Sequence, residues 1–352
     1  MLSFPKLRSA MVSISIFACT ALVGIGSSWQ NDALPEMTAA DNNQYVAAQH
    51  EAVLAPAGAV AGLRRRDPSV RRLLPPAGAI GTDDGESEAV GVAGQRPLLE
   101  GQQIVAFYGK PGAASMGILG EYSKEQLSPL LEGYARLYDE ANGPIGIVPA
   151  FYIIYGTCWP GGEIGILSRS IVESYIEFAA ERGWMVFLDH QLGKYGVEES
   201  VKSMLPFLRY PNVHLAIDPE WRTLKPMEEI GYISGAELNE AQRIVDEYLR
   251  ESDLPGTRML VVHQFRSTMI RDQASVRSGF ERVVLVHTAD GFGSPSLKKY
   301  TYAYNARAMN MPVKGFKLFL ESKVKGAGWD KPLMRPDEVL ALDPVPFLIM
   351  YQ

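Results

Sequence analysis

Cysteine is almost missing: Cys19 and Cys158 are the only two in 352 residues. Two cysteines cannot build a disulfide framework, and neither sits in a zinc-type spacing. Cys158 is expected as a free, buried thiol, because an unpaired cysteine behaves as a small apolar side chain. A surplus of positive charge is missing too. Lys and Arg total 34 against 40 Asp and Glu, for a formal charge of −6. That balance gives no reason to expect a nucleic-acid partner. No apolar run is followed by Gly-x-Gly-x-x-Gly, so a dinucleotide site has no support. Histidine is scarce, with five in the chain, and no His-x-x-Glu-His cluster occurs. Neither a metal nor any other cofactor is therefore expected.

A long spanning segment is also lacking. The longest apolar run, from about Met11 to Gly26, is slightly short of the ~20 residues that cross a bilayer. Lys6 and Arg8 precede it and small residues follow, which is the layout of a secretory signal. Residues 1–28 are read either as a signal cleaved near Gly26 to Ser28 or as an uncleaved anchor. Membrane contact is expected only through this segment, and the protein is expected to be secreted or held at the cell surface. Residues 29–100 are rich in Ala, Pro, Gly and Arg, and the stretch 52–95 has no aromatic residue. Such a segment cannot bury enough surface to offset chain entropy, so a disordered linker is expected. Its Arg64, Arg65, Arg66, Arg71 and Arg72 are read as a solvated charge run. The sequence sets no oligomeric state.

From residue 101 the pattern becomes regular. Apolar runs of strand length occupy 103–109, 146–156, 184–190, 213–218, 259–265, 282–288, 313–320 and 345–352. They are near-continuous, as in parallel strands buried on both faces. Amphipathic stretches at 123–141, 170–183, 196–209, 234–252 and 294–310 alternate with them, and Ser234 with Glu237 forms a capping box. The pattern predicts a (β/α)8 TIM barrel over 101–352, lacking a final helix. A segment before residue 101 is expected to fill the gap, and an open doubly wound sheet is the alternative.

In such a barrel the chemistry sits at the C-terminal ends of the strands. There the fourth run ends "HLAIDPEWRT", with Asp218 and Glu220 one residue apart. Period-two alternation puts both acids on the face opposite Leu215 and Ile217, and Asp189 likewise opposite Val186 and Leu188. Pro219 holds Asp218 extended. Two nearby carboxyls titrate apart, one ionised and one protonated, which is the arrangement glycoside hydrolysis uses. Glu220, Asp218 and Asp189 are the candidate catalytic residues, with Glu220 as the general acid. The other polar and aromatic strand ends are candidates for substrate binding: Tyr108, Tyr152, Trp221, Arg222, His190, His263, Gln264, His287, Asp290, Lys317 and Tyr351. Tyr155 and Trp159 join them as aromatics able to stack on sugar rings.

The Asp-x-Glu of residues 218–220 resembles that of barrel glycosidases such as the family 18 chitinases and family 25 lysozymes. The resemblance implies that Glu220 is the acid and Asp218 its assistant. Ala216 stands where the chitinase pattern has a further acid. The segments "LAIDPEWR", "IGYISGAELNEAQRIV", "LVVHQFRSTMI" and "HTADGFG" also resemble a group of secreted bacterial proteins of unassigned function. The expected function is a glycosidase-like hydrolase of a polysaccharide, for instance of the cell envelope. The alternatives are a non-catalytic glycan-binding surface protein and a metal-dependent hydrolase.

Overall fold

The computed structural model describes residues 99–324 and 327–352. The readings of a signal, a linker and an arginine cluster lie outside the described residues. Eight parallel strands follow in chain order: β1 (Gln102–Gly109), β2 (Gly146–Cys158), β3 (Met185–His190), β4 (Val213–Ile217), β5 (Arg258–Gln264), β6 (Val283–Ala289), β7 (Val313–Leu318) and β8 (Leu348–Tyr351). Each pairs with the next, and β1 pairs with both β2 and β8. The sheet is therefore a closed barrel, and the open-sheet alternative is excluded.

The strands form because their apolar runs bury two faces at once. Outward residues such as Val105, Phe151, Leu188, Leu215 and Val262 pack under the helices. Inward residues Ala106, Ala150, Phe187, Ala216, Val261, Val286 and Met350 fill the interior as an apolar plug. A single helical turn, Ile118–Glu121, follows β1, and the longer helices are α1 (Lys124–Ala141), α2 (Arg169–Ala180), α3 (Val197–Met204), α4 (Gly235–Glu251), α5 (Pro295–Ala306) and the short α6 (Pro336–Leu340). Ser234 caps α4 as expected: its hydroxyl accepts the Glu237 N–H at 3.2 Å, and the Glu237 carboxylate accepts the Ser234 N–H at 2.8 Å.

Among the described residues no helix follows β8, as expected, and the outer ring has one further interruption. Between β5 and β6 there is no helix, only 3-10 turns at Ser267–Met269 and Gln273–Ser275. Between those turns, Ile270–Arg271 pairs with Ile233–Ser234 as a two-stranded ribbon. Irregular backbone packed on a barrel needs hydrogen-bond partners that a helix would not. Gln264 at the end of β5 supplies one, donating to the Arg266 carbonyl at 3.1 Å, and Asn310 supplies two, donating to the carbonyls of Gln273 at 2.9 Å and Val276 at 2.8 Å.

Candidate active site

The apolar plug gives way to polar groups at the C-terminal ends of the strands. Tyr108, Tyr152, Asp189, Asp218, His263, Asp290 and Lys317 are all buried there. The chain after β4 makes a 3-10 turn, Pro219–Trp221, and the Asp218 carboxylate caps it by accepting the Glu220 N–H at 3.2 Å. Glu220 therefore reaches the site on a turn rather than on the strand, and it is half-buried where Asp218 is 3% exposed. Gly231 packs against this turn; a Cβ there would lie 2.5 Å from the carbonyl oxygens of Pro219 and Arg222.

Four carboxyls face two cations. Asp290 takes both cations: its Oδ2 is 2.7 Å from His263 Nδ1 and 3.4 Å from Lys317 Nζ. Burial alone would lower the His263 pKa, but Asp290 and Asp189 outweigh it and raise it to about 9. Burial would likewise raise Asp290, yet His263 and Lys317 hold it at about 2. That ion pair is thus charged across the neutral range. His263 Nε2 points at the Tyr152 hydroxyl, 2.7 Å away, and lies 3.7 Å from Asp189 Oδ2. Asp189 Oδ2 also accepts the Tyr108 hydroxyl at 2.9 Å.

The other three acids are left with less compensation. Burial raises Asp189. Burial, with Asp189 and Asp290 nearby, raises Asp218 to about 6. Burial first, then Asp218, raises Glu220 to about 8. At neutral pH, Glu220 is therefore a carboxylic acid able to give a proton, beside an Asp218 that is mostly ionised. Burial keeps Tyr108 and Tyr152 protonated; the Tyr108 hydroxyl donates to Asp189, and that of Tyr152 accepts from the charged His263.

The structure brings together Tyr108, Tyr152, Asp189, Asp218, Glu220, His263, Asp290 and Lys317. It separates others from the site, and each case has a local cause. His190 faces outward, over Gly156, where its Nδ1 accepts the Leu192 N–H at 3.0 Å and burial lowers its pKa to about 4. Gln264 and His287 also face outward and bond each other at 2.7 Å beside the helix-free crossover. Tyr351 points out between β8 and α1, its hydroxyl 2.8 Å from that of Tyr138. Arg222 turns away to Glu237, 2.6 Å distant. Trp221 is half-buried on the turn beside Glu220.

The expected aromatic mouth is also smaller than the sequence implies. Tyr108 and Tyr152 are inside the barrel, within 2% of full burial, and Tyr152 stacks on Phe187 at 5.0 Å. Tyr155 faces outward against Phe207. Trp159 stays at the surface, 46% exposed, with Lys110 Nζ 5.2 Å from its ring. An unanticipated pair joins it: Phe292, flanked by two glycines, packs on Phe319 at 5.9 Å. Also unanticipated is a buried clamp on the loops after β6 and β7. Asp330 accepts the N–H groups of Gly293 and Phe319, each at 2.9 Å, and lies 3.7 Å from Lys298. Lys298 in turn donates to the Gly291 carbonyl at 2.6 Å and to that of Lys317. One charged residue on a helix and one in a loop carry no signal of this pairing in the sequence.

Among the described residues, no group of three or more His, Cys, Asp and Glu side chains is placed to hold a metal ion. Cys158 is a free, buried thiol, and burial pushes its pKa up to about 11.

The chain matches no protein-family model and no curated protein. Among solved structures it is similar to a chitinase from Chromobacterium violaceum, with 10% identity, a TM-score of 0.33, and coverage of 61% of this chain and 68% of that one. It is also similar to endo-glycoceramidase II from a Rhodococcus species in complex with a cellobiose-like imidazole. There the identity is 13%, the TM-score 0.37, and the coverage 71% of this chain and 72% of that one.

Proposed function

We propose that this barrel is an exported glycosidase-like hydrolase of a polysaccharide, with Glu220 as general acid and Asp218 as its ionised partner. One observation carries the reading. Glu220 is the half-open member of a buried carboxyl group set, and it holds its proton to about pH 8. Glycoside hydrolysis needs such an acid at the leaving oxygen and a second carboxyl near the sugar centre. Asp218, at about 6, fits the second role. Asp189 lies deeper, at 0% exposure, and acts by tuning the pair. Trp159, Trp221 and Phe292 are the aromatic surfaces open to a sugar face. Export rests on the Lys6, Arg8 and apolar Met11–Gly26 pattern, and cell-envelope glycans are the first substrates to test.

The test is turnover of chitin, peptidoglycan and other bacterial and plant glycans by the wild type and Glu220→Gln. Loss of the general acid is expected to reduce kcat by ~10²–10⁴-fold. A variant as active as the wild type removes Glu220 from the chemistry. A second reading, a glycan-binding barrel without turnover, draws on the burial of Asp189, Asp218, Tyr108 and Tyr152. It predicts saturable binding to a glycan that neither protein cleaves.

A further inference from the structure

The groups behind the acid pair form a closed circuit. Lys317 Nζ lies 3.4 Å from Asp290 Oδ2, and that same oxygen is 2.7 Å from His263 Nδ1. His263 Nε2 is 3.7 Å from Asp189 Oδ2, which accepts the Tyr108 hydroxyl at 2.9 Å. The Tyr108 ring then returns to Lys317, whose Nζ is 3.6 Å from the ring centre. Tyr152 braces the circuit through its hydroxyl, 2.7 Å from His263 Nε2. Every member comes from a different strand or strand end, and all are buried. A solvent-borne sugar therefore meets Glu220 before it meets any of them.

A buried ion pair of this kind adds little net stability over an apolar filling of the same volume. Its cost makes sense where a charge is needed at a fixed place. Two carboxyl oxygens of the circuit, Asp189 Oδ1 and Asp290 Oδ1, are buried without a hydrogen-bond partner. The fold thus tolerates an excess of acid here and holds it with only two cations.

We propose that His263 and Lys317, tied together by Asp290, are positioning residues: a fixed buried cation pair that keeps one carboxyl of the Asp218–Glu220 pair ionised at neutral pH. The inference rests on the acid–base reading of that pair. β4 and β5 pair with Ile217 opposite Val262, which sets His263 beside Asp218 at the strand ends, and the other charged groups acting on Asp218 and Glu220 are Asp189 on β3, Asp290 after β6 and Lys317 on β7. Tyr108 on β1 and Tyr152 on β2 complete the surround. Of these, only His263 and Lys317 are cations, and both favour the ionised forms of the pair. His263→Gln keeps a hydrogen-bonding side chain and removes the charge. Lys317→Met removes the other charge, and Lys317→Arg retains it.

The experiment is a pH titration of the side-chain carboxyl 13C shifts of Asp218 and Glu220 in the full chain, for the wild type and these three variants. His263→Gln and Lys317→Met are expected to move the midpoints upward by about one pH unit or more, the effect of losing a neighbouring opposite charge. Lys317→Arg is expected to restore the wild-type midpoints. Unchanged midpoints in a folded charge-removing variant would overturn the proposal. If His263→Gln does not fold, the Lys317 pair decides by the same criterion. The titration needs no substrate, so its outcome is separate from that of Glu220→Gln turnover, which judges the acid reading itself.

Discussion

Two buried histidines one barrel strand apart end in opposite states. His263, on β5, faces inward and is raised to about 9; His287, on β6, faces outward and is lowered to about 3. Burial acts on both in the same direction, so the neighbours decide. His263 has a carboxylate on one ring nitrogen and a second within 3.7 Å of the other. His287 has Gln264 at 2.7 Å and Lys314 at 3.3 Å. Lys314 spends its own donors on the carbonyls of Asn305, at 2.7 Å, and Ala308, at 3.0 Å. The Asn305 amide donates to the Gln264 carbonyl at 3.0 Å and to that of Thr288 at 3.3 Å. The outer cluster is thus built of neutral amides and backbone carbonyls around one lysine, with no carboxylate among its hydrogen-bond partners. The inner cluster is built of charges facing charges. Burial and polarity alone do not mark a site; several acids gathered around buried cations do.

Substitution is the strongest way to break this comparison. His263→Leu takes the nearer cation from Asp290, leaving it Lys317 alone, and removes the cation beside Asp189; a broken buried ion pair is expected to cost ~3–5 kcal/mol. His287→Leu leaves an amide and an ammonium short of one neutral partner, and is expected to cost about 1–3 kcal/mol. Urea unfolding of the two variants checks the order, and a larger loss at His287 would reverse the assignment of charge.

pH separates the two clusters further. His263 has a folded pKa raised to about 9 from 6.5. Its contribution is complete below 6.5 and is lost as pH rises through 9. Glu220, raised to about 8 from 4.5, works in the same direction, because the folded state holds a proton that the unfolded chain has released. His287, depressed to about 3, contributes above 6.5 and loses that contribution as pH falls toward 3. From these three groups, melting temperature is therefore expected to be highest between about pH 4.5 and 6.5, where the Glu220 and His287 contributions oppose each other, and to fall on either side of that window. His263→Gln is expected to flatten the alkaline side, and His287→Gln the acid side, in thermal scans across buffers of matched ionic strength.

The smallest expected effect lies outside both clusters. Ser234→Ala removes the α4 cap and is expected to cost ~1 kcal/mol near neutral pH, and less in acid, where the Glu237 carboxylate that the hydroxyl also donates to is protonated. A loss that changed between neutral and alkaline pH would mean that the cap communicates with the charged groups.

Much of this was legible in the sequence, for a physical reason. Strands buried on both faces need continuous apolar runs, and all eight barrel strands announce themselves that way. Alternation placed Asp189, Asp218 and Lys317 inside. The same alternation applied to neighbours puts His190 outside because Asp189 is inside, and Gln264 outside because His263 is inside. Strand parity was thus the signal that sorts the polar strand ends, and proximity to the barrel top was not. Parity does not explain Glu220, since β4 ends at Ile217 and a 3-10 turn delivers the side chain. The Lys298–Asp330 clamp and the sealing of Tyr108 and Tyr152 depend on loop paths that no local pattern encodes.

On the proposed reading, Asp218 and Glu220 divide one ionisation between them at neutral pH. The most direct measurement is the carboxyl 13C titration of the wild-type protein, resolved for these two residues. Midpoints near 6 for Asp218 and near 8 for Glu220 are expected. Two midpoints in the ordinary carboxylate range, around 4, would contradict it.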